Sequence, residues 1–298
     1  MAEFKRGIGA PLLNSLKKQP LFSQRLASDI KEGTVFFAGR NRCASFYYKG
    51  RSLFTYKNNI FTTNQKFGFV PVPTEKSYIE ETDLNDKRVI TNFIDAYEKI
   101  KERAALYADK EAEGVSMLYK FSPASNKRCN EDYFLIDIEV SLEKIDNPEN
   151  LASDKKRKGT DRIDMLLYNN AKKQLMFCEA KHYTNTDLWA SDDNEPPVVG
   201  QLKKYEDQIH EKQDQIIAQY IKVIHEYNEL LGTELNEPVK VFKHCGLYVF
   251  GYDDIWKGEV LRRLDANAKK FDFIYRAIGG TGNDSIRKIY ERLEKQDT

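Results

Sequence analysis

Ile163-Asp164-Met165-Leu166-Leu167-Tyr168, the polar stretch Asn169-Asn170-Ala171-Lys172-Lys173, and Leu175-Met176-Phe177-Cys178-Glu179-Ala180-Lys181 read together as a β-hairpin with acids gathered at one end. Side chains alternate across a strand, so Glu179 and Lys181 project from one face while Cys178 and Ala180 project from the other. Asp164 opens the neighbouring strand, and two carboxylates and one ammonium can converge. That set suits phosphodiester hydrolysis. An anionic phosphodiester resists hydroxide, and a hard cation can lower the pKa of a bound water and neutralise the phosphate. Mg²⁺ takes one or two carboxylates plus waters and phosphate oxygens, which Asp164, Glu179 and the carbonyl of Ala180 can complement. Lys181 would then orient or deprotonate the attacking water.

Working outward, Gly159 stands ahead of Asp164, and Gln201 and Tyr205 follow the hairpin, four residues apart on one face of an expected helix. The set Gly159-x-x-x-x-Asp164, Glu179-x-Lys181 and Gln201-x-x-x-Tyr205 resembles the PD-(D/E)XK nuclease superfamily, RecB-like branch. The resemblance implies a fold: an α/β core of order α-β-β-β-α-β, a mixed sheet flanked by helices. It also implies an activity, a metal-dependent nuclease in which the acids bind Mg²⁺ or Mn²⁺, the lysine is catalytic, and Gln201 and Tyr205 support the site. Ile163 stands where the superfamily name has proline, as is common in RecB-like members. Each motif alone also suits the solvated end of an ordinary hairpin; order, strand context and the following helix agree only when taken together.

The resemblance further implies a third acidic ligand, for which Glu139 and Glu98 are the candidates. Glu139 lies in the strand Tyr133 to Leu142, where Ile138 and Val140 should face the core and leave it on the polar face. Glu98 and Glu102 lie on a helix expected from about Asp86 to Lys110, where they equally suit a solvated face. Pro197 to Leu231 reads as one long helix started by Pro196-Pro197 and stopped by Gly232, and Val239 to Tyr252 as the closing strand. Beyond it come a helix from Trp256 to Ala268, a strand over Phe271 to Ile278 and a final helix from Asp284 to Glu294. The glycines at 279, 280 and 282 lack the Gly-Lys-Ser/Thr ending of a phosphate loop and read as a turn.

Residues 33 to 73 form a separate texture. Five aromatic, β-branched runs (Thr34 to Ala38, Ala44 to Tyr48, Ser52 to Tyr56, Ile60 to Thr63 and Phe67 to Val70) predict a small antiparallel module, residues 1–75, ahead of a nuclease-like domain, 76–298. Its aromatics, interleaved with Arg40, Arg42, Lys49, Arg51, Lys57 and Lys66, would either stack bases or form the module's own core.

Charged residues make up 31% of the 298, above the usual quarter, but the net charge of +1 gives no global attraction to nucleic acid. Binding must then rest on local patches, of which Lys155-Lys156-Arg157-Lys158 lies beside the proposed site. Four scattered cysteines without a Cys-x-x-Cys pair read as reduced thiols and exclude a cysteine-ligated iron–sulfur cluster. The histidines lack zinc spacing, and His182 points away from the Lys181 face. With no apolar run of membrane-spanning length and no signal-peptide core, a soluble, cytoplasmic protein without a membrane partner is expected. The expected substrate is DNA ahead of RNA, in bacterial defence, restriction or repair, with a protein partner or homo-oligomer as a further possibility. The alternatives are a non-catalytic nucleic-acid-binding module and a subunit that a partner activates.

Overall fold

In a computed structural model of the chain, the residues described are 4–68, 77–84, 92–127, 132–142, 162–190, 194–279 and 286–296. Helix α1 (Ala10–Lys17) is followed by a π-helical turn, Phe22–Leu26, running into α2 (Ala27–Lys31). Strands β1 (Val35–Arg40), β2 (Cys43–Tyr48), β3 (Arg51–Lys57), β4 (Ile60–Asn64) and β5 (Tyr78–Glu80) then form an antiparallel sheet in sequential order.

Of the run expected over Phe67 to Val70, Phe67 and Gly68 lie in a turn, and residues 69–70 lie outside the described residues. The Asn64 side chain accepts the Lys66 N–H at 2.9 Å and its carbonyl accepts the Phe67 N–H at 2.9 Å, which closes a turn and tucks Phe67 into the core. β5 lies past residue 75, so the N-terminal sheet reaches beyond the expected module boundary. The strand aromatics are buried: Phe37, Phe46, Phe54, Tyr56 and Phe61 pack together, which removes them as a base-stacking surface.

After the short helix α3 (Glu81–Leu84), α4 (Phe93–Ala105) starts where the Asn92 side chain accepts the Asp95 N–H. It buries Phe93 and Tyr97 against Phe54 of β3. The expected helix to Lys110 stops at Ala105, and its first residues, 86–91, lie outside the described residues. A separate helix, α5 (Lys110–Ser116), begins where Asp109 accepts the Ala112 N–H at 2.8 Å.

The mixed sheet comes next. β6 (Tyr133–Val140), β7 (Ile163–Asn169) and β8 (Gln174–His182) form an antiparallel meander. Helices α6 (Pro197–Glu211) and α7 (Gln213–Leu231) cover one face. The single helix expected here is broken at Lys212, whose φ of −113° leaves the helical region while its buried ammonium donates to the Leu142 carbonyl. Pro196 and Gly232 stand as start and stop signals, Gly232 with the left-handed φ of 67°. The short β9 (Lys240–Val241) pairs with the start of β8, and β10 (Gly246–Phe250) runs parallel to its end. Past α8 (Asp254–Phe271), β11 (Tyr275–Ile278) extends the sheet in parallel, and α9 (Ile286–Gln296) packs on the opposite face from α7. The architecture is therefore α/β, an antiparallel sheet joined to a mixed sheet flanked by helices. No helix among the described residues is long and apolar enough to cross a membrane.

The two sheets meet at a buried carboxylate. Asp137 of β6 pairs with Arg40 of β1 at 2.6 Å and with Arg6 at 3.1 Å, and accepts from the Tyr220 hydroxyl of α7 at 2.7 Å. Arg40 also donates to the Ile138 carbonyl. Removing one partner of a buried pair leaves charge without compensation. Arg40→Ala is expected to lower unfolding free energy by about 3–5 kcal/mol in urea denaturation; a loss under about 1 kcal/mol, the range of surface pairs, would show that the network does not join the sheets.

Candidate active site

Register brings the hairpin acids together. Met165 pairs with Cys178, so Asp164 and Glu179 are cross-strand neighbours, and Glu179 and Lys181 share the face covered by α6. Asp164 accepts the Ala180 N–H on Oδ2 at 2.8 Å. Glu179, only 1% exposed, accepts on Oε1 from Lys181 Nζ and from Gln201 Nε2, both at 2.8 Å. Gln201 also donates to the Tyr205 hydroxyl at 2.8 Å, and that hydroxyl donates to the Arg162 carbonyl at 2.9 Å. Gln201 and Tyr205, one helical turn apart, thus tie α6 to β8 and to the start of β7. The second carboxylate oxygen, Oε2 of Glu179, is buried and has no hydrogen-bond partner.

Burial strains the acids. Asp164 is pushed well above the usual carboxylate range by burial, then by the nearby charges of Glu179 and Glu139. Burial raises Glu179 to about 7, with the Lys181 ammonium opposing the rise. Burial alone would lower Lys181, but the Glu179 contact and the field of Asp164 and Glu111 outweigh it and hold the ammonium above its ordinary value.

Of the two candidates for a third acid, Glu98 stands away from the site and Glu139 beside Asp164. Glu98 stands on α4 with its side chain 65% exposed, paired with Lys101 on the helix that covers the antiparallel sheet. The helical acid at the site is Glu111 of α5. It adds its charge to the field on Glu179 and Lys181, accepts from Asn185 Nδ2 at 2.6 Å, and lines a cavity of about 130 Å³ with Asp164, Glu139 and Asp109. Two glycines seat α5 there: a Cβ at Gly114 would lie 2.1 Å from the Phe250 ring, and one at Gly50 2.2 Å from the Ala112 Cβ. The sequence signal for this helix is the Asp109 cap, which the periodicity of α4 overruns.

Glu139 does reach the site, by an irregular route. The register of β6 shifts between Leu135 and Asp137, and Glu139 adopts a left-handed φ of 51°. Consequently Ile138 and Val140 do not share a core face, as alternation predicts; they pack in clusters on opposite sides of the sheet. Glu139 comes beside Asp164 and pairs with Arg162 at 3.3 Å.

Ala180 is fully buried, and its N–H rather than its carbonyl is the group seen to engage Asp164. His182 packs over Gly251 and bonds Thr184 at 2.7 Å, which fits a structural part. Lys155, Lys156, Arg157 and Lys158, with Gly159, lie outside the described residues. Cys43, Cys178 and Cys245 are buried.

Among the described residues no group of three or more His, Cys, Asp or Glu side chains already stands in metal-holding geometry. A divalent cation held by two carboxylates and waters does not require one. The orphaned Glu179 Oε2, on a residue that feels the charges of Glu111 and Glu139 and that in turn acts on Asp164, is a donor whose chemistry fits such a cation. No family model matches the chain, and no curated protein or solved structure matches it significantly.

Because Asp164 has a raised pKa in the fold, its contribution to stability is greatest below its unfolded pKa and is lost as pH rises through the folded value. A neutral isostere escapes that loss. Asp164→Asn is expected to stabilise the protein at pH 8 in EDTA by about 0.5–2 kcal/mol, a usual gain where function holds strain, with the gain shrinking toward pH 4. Thermal melts across that range check this, and lower stability at pH 8 would contradict it.

Proposed function

We propose that this chain is a divalent-metal-dependent nuclease of the PD-(D/E)XK type, hydrolysing phosphodiester bonds in nucleic acid, DNA before RNA. The observation that carries the reading is Glu179. Its Oε1 is fixed by Lys181 and Gln201 while Oε2 is buried and without a partner, and Asp164 is its cross-strand neighbour. Burying a carboxylate oxygen unsatisfied costs free energy, and a cation would offset that cost. Further support comes from element order: a helix, the meander β6–β7–β8, the helices α6 and α7, then β10 parallel to β8, as the resemblance calls for.

Asp164 and Glu179 would hold Mg²⁺ or Mn²⁺, with Glu139 and Glu111 acting through waters. When bound, such an ion supplies an acidified water and charge neutralisation at the phosphate. The chain's own residues do the rest. Lys181 offers an ammonium that orients the attacking water and stabilises charge growing on the phosphate. Gln201 and Tyr205 hold the Glu179 carboxylate and the start of β7 in place, which makes them positioning residues. A role in restriction, repair or anti-phage defence rests on analogy alone.

The test is cleavage of linear and closed-circular DNA, and of RNA, by the purified chain with Mg²⁺ or Mn²⁺. Wild type is expected to cut, while Asp164→Ala and Lys181→Ala fall by at least about 100-fold, the scale of losing one electrostatic or proton-transfer contact. Cutting that persists in both variants would refute the site.

A further inference from the structure

A second, larger cleft opens beside the acidic cavity. It measures about 390 Å³ and lies where the β2–β3 turn and the end of β4 face Glu139 and Arg162. Gly50 and Glu139 line both hollows, so the cleft runs into the acidic site. Its volume falls within the roughly 300–1,000 Å³ of small-ligand pockets.

The lining combines two chemistries. Arg51, Lys66 and Arg162 are cationic, and Tyr78 and Tyr107 supply aromatic rings. Tyr107 is 43% exposed, backed by the Phe67 ring at 5.7 Å, with the Lys66 ammonium over it at 5.6 Å. Arg51 donates to Asp109 at 2.8 Å, which aims its guanidinium, yet its Nε is buried and has no hydrogen-bond partner. The side chain is 34% exposed and lines the cleft, where a phosphate oxygen would make the charge-assisted bond that a guanidinium fork favours.

We propose that this cleft seats one unpaired nucleotide of a single-stranded nucleic acid, its base against Tyr107 and its phosphate on Arg51, and leads the strand toward Asp164 and Glu179. The proposal rests on the nuclease reading and names the form of its substrate. Aromatic faces decide between strand forms. A duplex hides its base faces in the stack and offers only phosphates and groove edges, whereas an unpaired base can lie on a ring. Positive charge at the cleft complements the strand; the acids beyond it mark where a cation would join the phosphate.

The experiment measures fluorescence anisotropy of a labelled oligothymidylate with the full chain in EDTA, so that binding is read without cleavage. Tyr107→Ala and Arg51→Gln are each expected to weaken binding by about tenfold, the scale of losing one stacked base. Glu98→Gln, on the exposed side of α4, should bind as wild type does, and a blunt duplex should bind more weakly and be indifferent to Tyr107→Ala. Thermal melts establish that both cleft variants remain folded; if Tyr107→Ala does not, Tyr107→Phe, which keeps the ring face, should retain wild-type affinity. Unchanged affinity in folded Tyr107→Ala and Arg51→Gln, or equal loss for duplex, would overturn the proposal. If these variants bind normally while Asp164→Ala abolishes cutting, the cleft assignment fails and the nuclease reading stands. If binding falls as expected but nothing is cut, the reverse holds.

Discussion

Asp137 is a carboxylate almost wholly removed from water, and its charge is met from three directions. Arg40 reaches it from the antiparallel sheet, Arg6 from the N-terminal segment and Tyr220 from α7. An isolated buried charge would be prohibitively costly, so the three elements must close on β6 together. The consequence reaches the site. Arg40 also takes the Ile138 carbonyl, at the irregular part of β6 where the register shifts and Glu139 turns left-handed. A non-glycine residue in that region costs roughly 1–2 kcal/mol. The cost is sustained where surrounding contacts over-determine the backbone, and here it places a carboxylate beside Asp164.

A second buried acid anchors the same joint from the other side. Glu226 of α7 accepts the N–H groups of Ile8 and Gly9 at 2.6 and 2.9 Å, at the entry to α1, and its Oε2 lies against Gly39, where a Cβ would come within 2.6 Å. Burial raises it to about 7. The N-terminal segment, β1 and α7 are thereby held together by polar contacts inside an apolar core, and one apolar cluster extends from Phe37 and Phe46 to Leu166 and Tyr220. Under the proposed nuclease reading, function and stability pull apart at the mixed sheet. Asp164 and Glu179 are kept as acids in a place that would hold neutral side chains more comfortably.

Much of this is legible in the residues. The hairpin, the convergence of Asp164, Glu179 and Lys181, and the Gln201–Tyr205 pairing follow from two periodicities, two residues per strand repeat and nearly four per helical turn. The N-terminal strands follow from aromatic runs broken by turns, apart from β5, because Asn64 closes an unforeseen turn. What escapes is whatever tertiary contact decides. Glu111 is set in place by the absence of a side chain at Gly114 and Gly50, and Lys212 breaks a helix to reach a carbonyl. The left-handed backbone at Glu139 inverts an alternation that the sequence alone would extend. None of these leaves a periodic trace.

The central claim is that Asp164 and Glu179 form a divalent-cation site. Its most direct test is a Mn²⁺ titration of the full chain followed by electron paramagnetic resonance of the free ion. Saturable binding in wild type that is lost in Glu179→Gln and kept in Glu98→Gln is the predicted result. No saturable binding, or binding that survives Glu179→Gln unchanged, would contradict it.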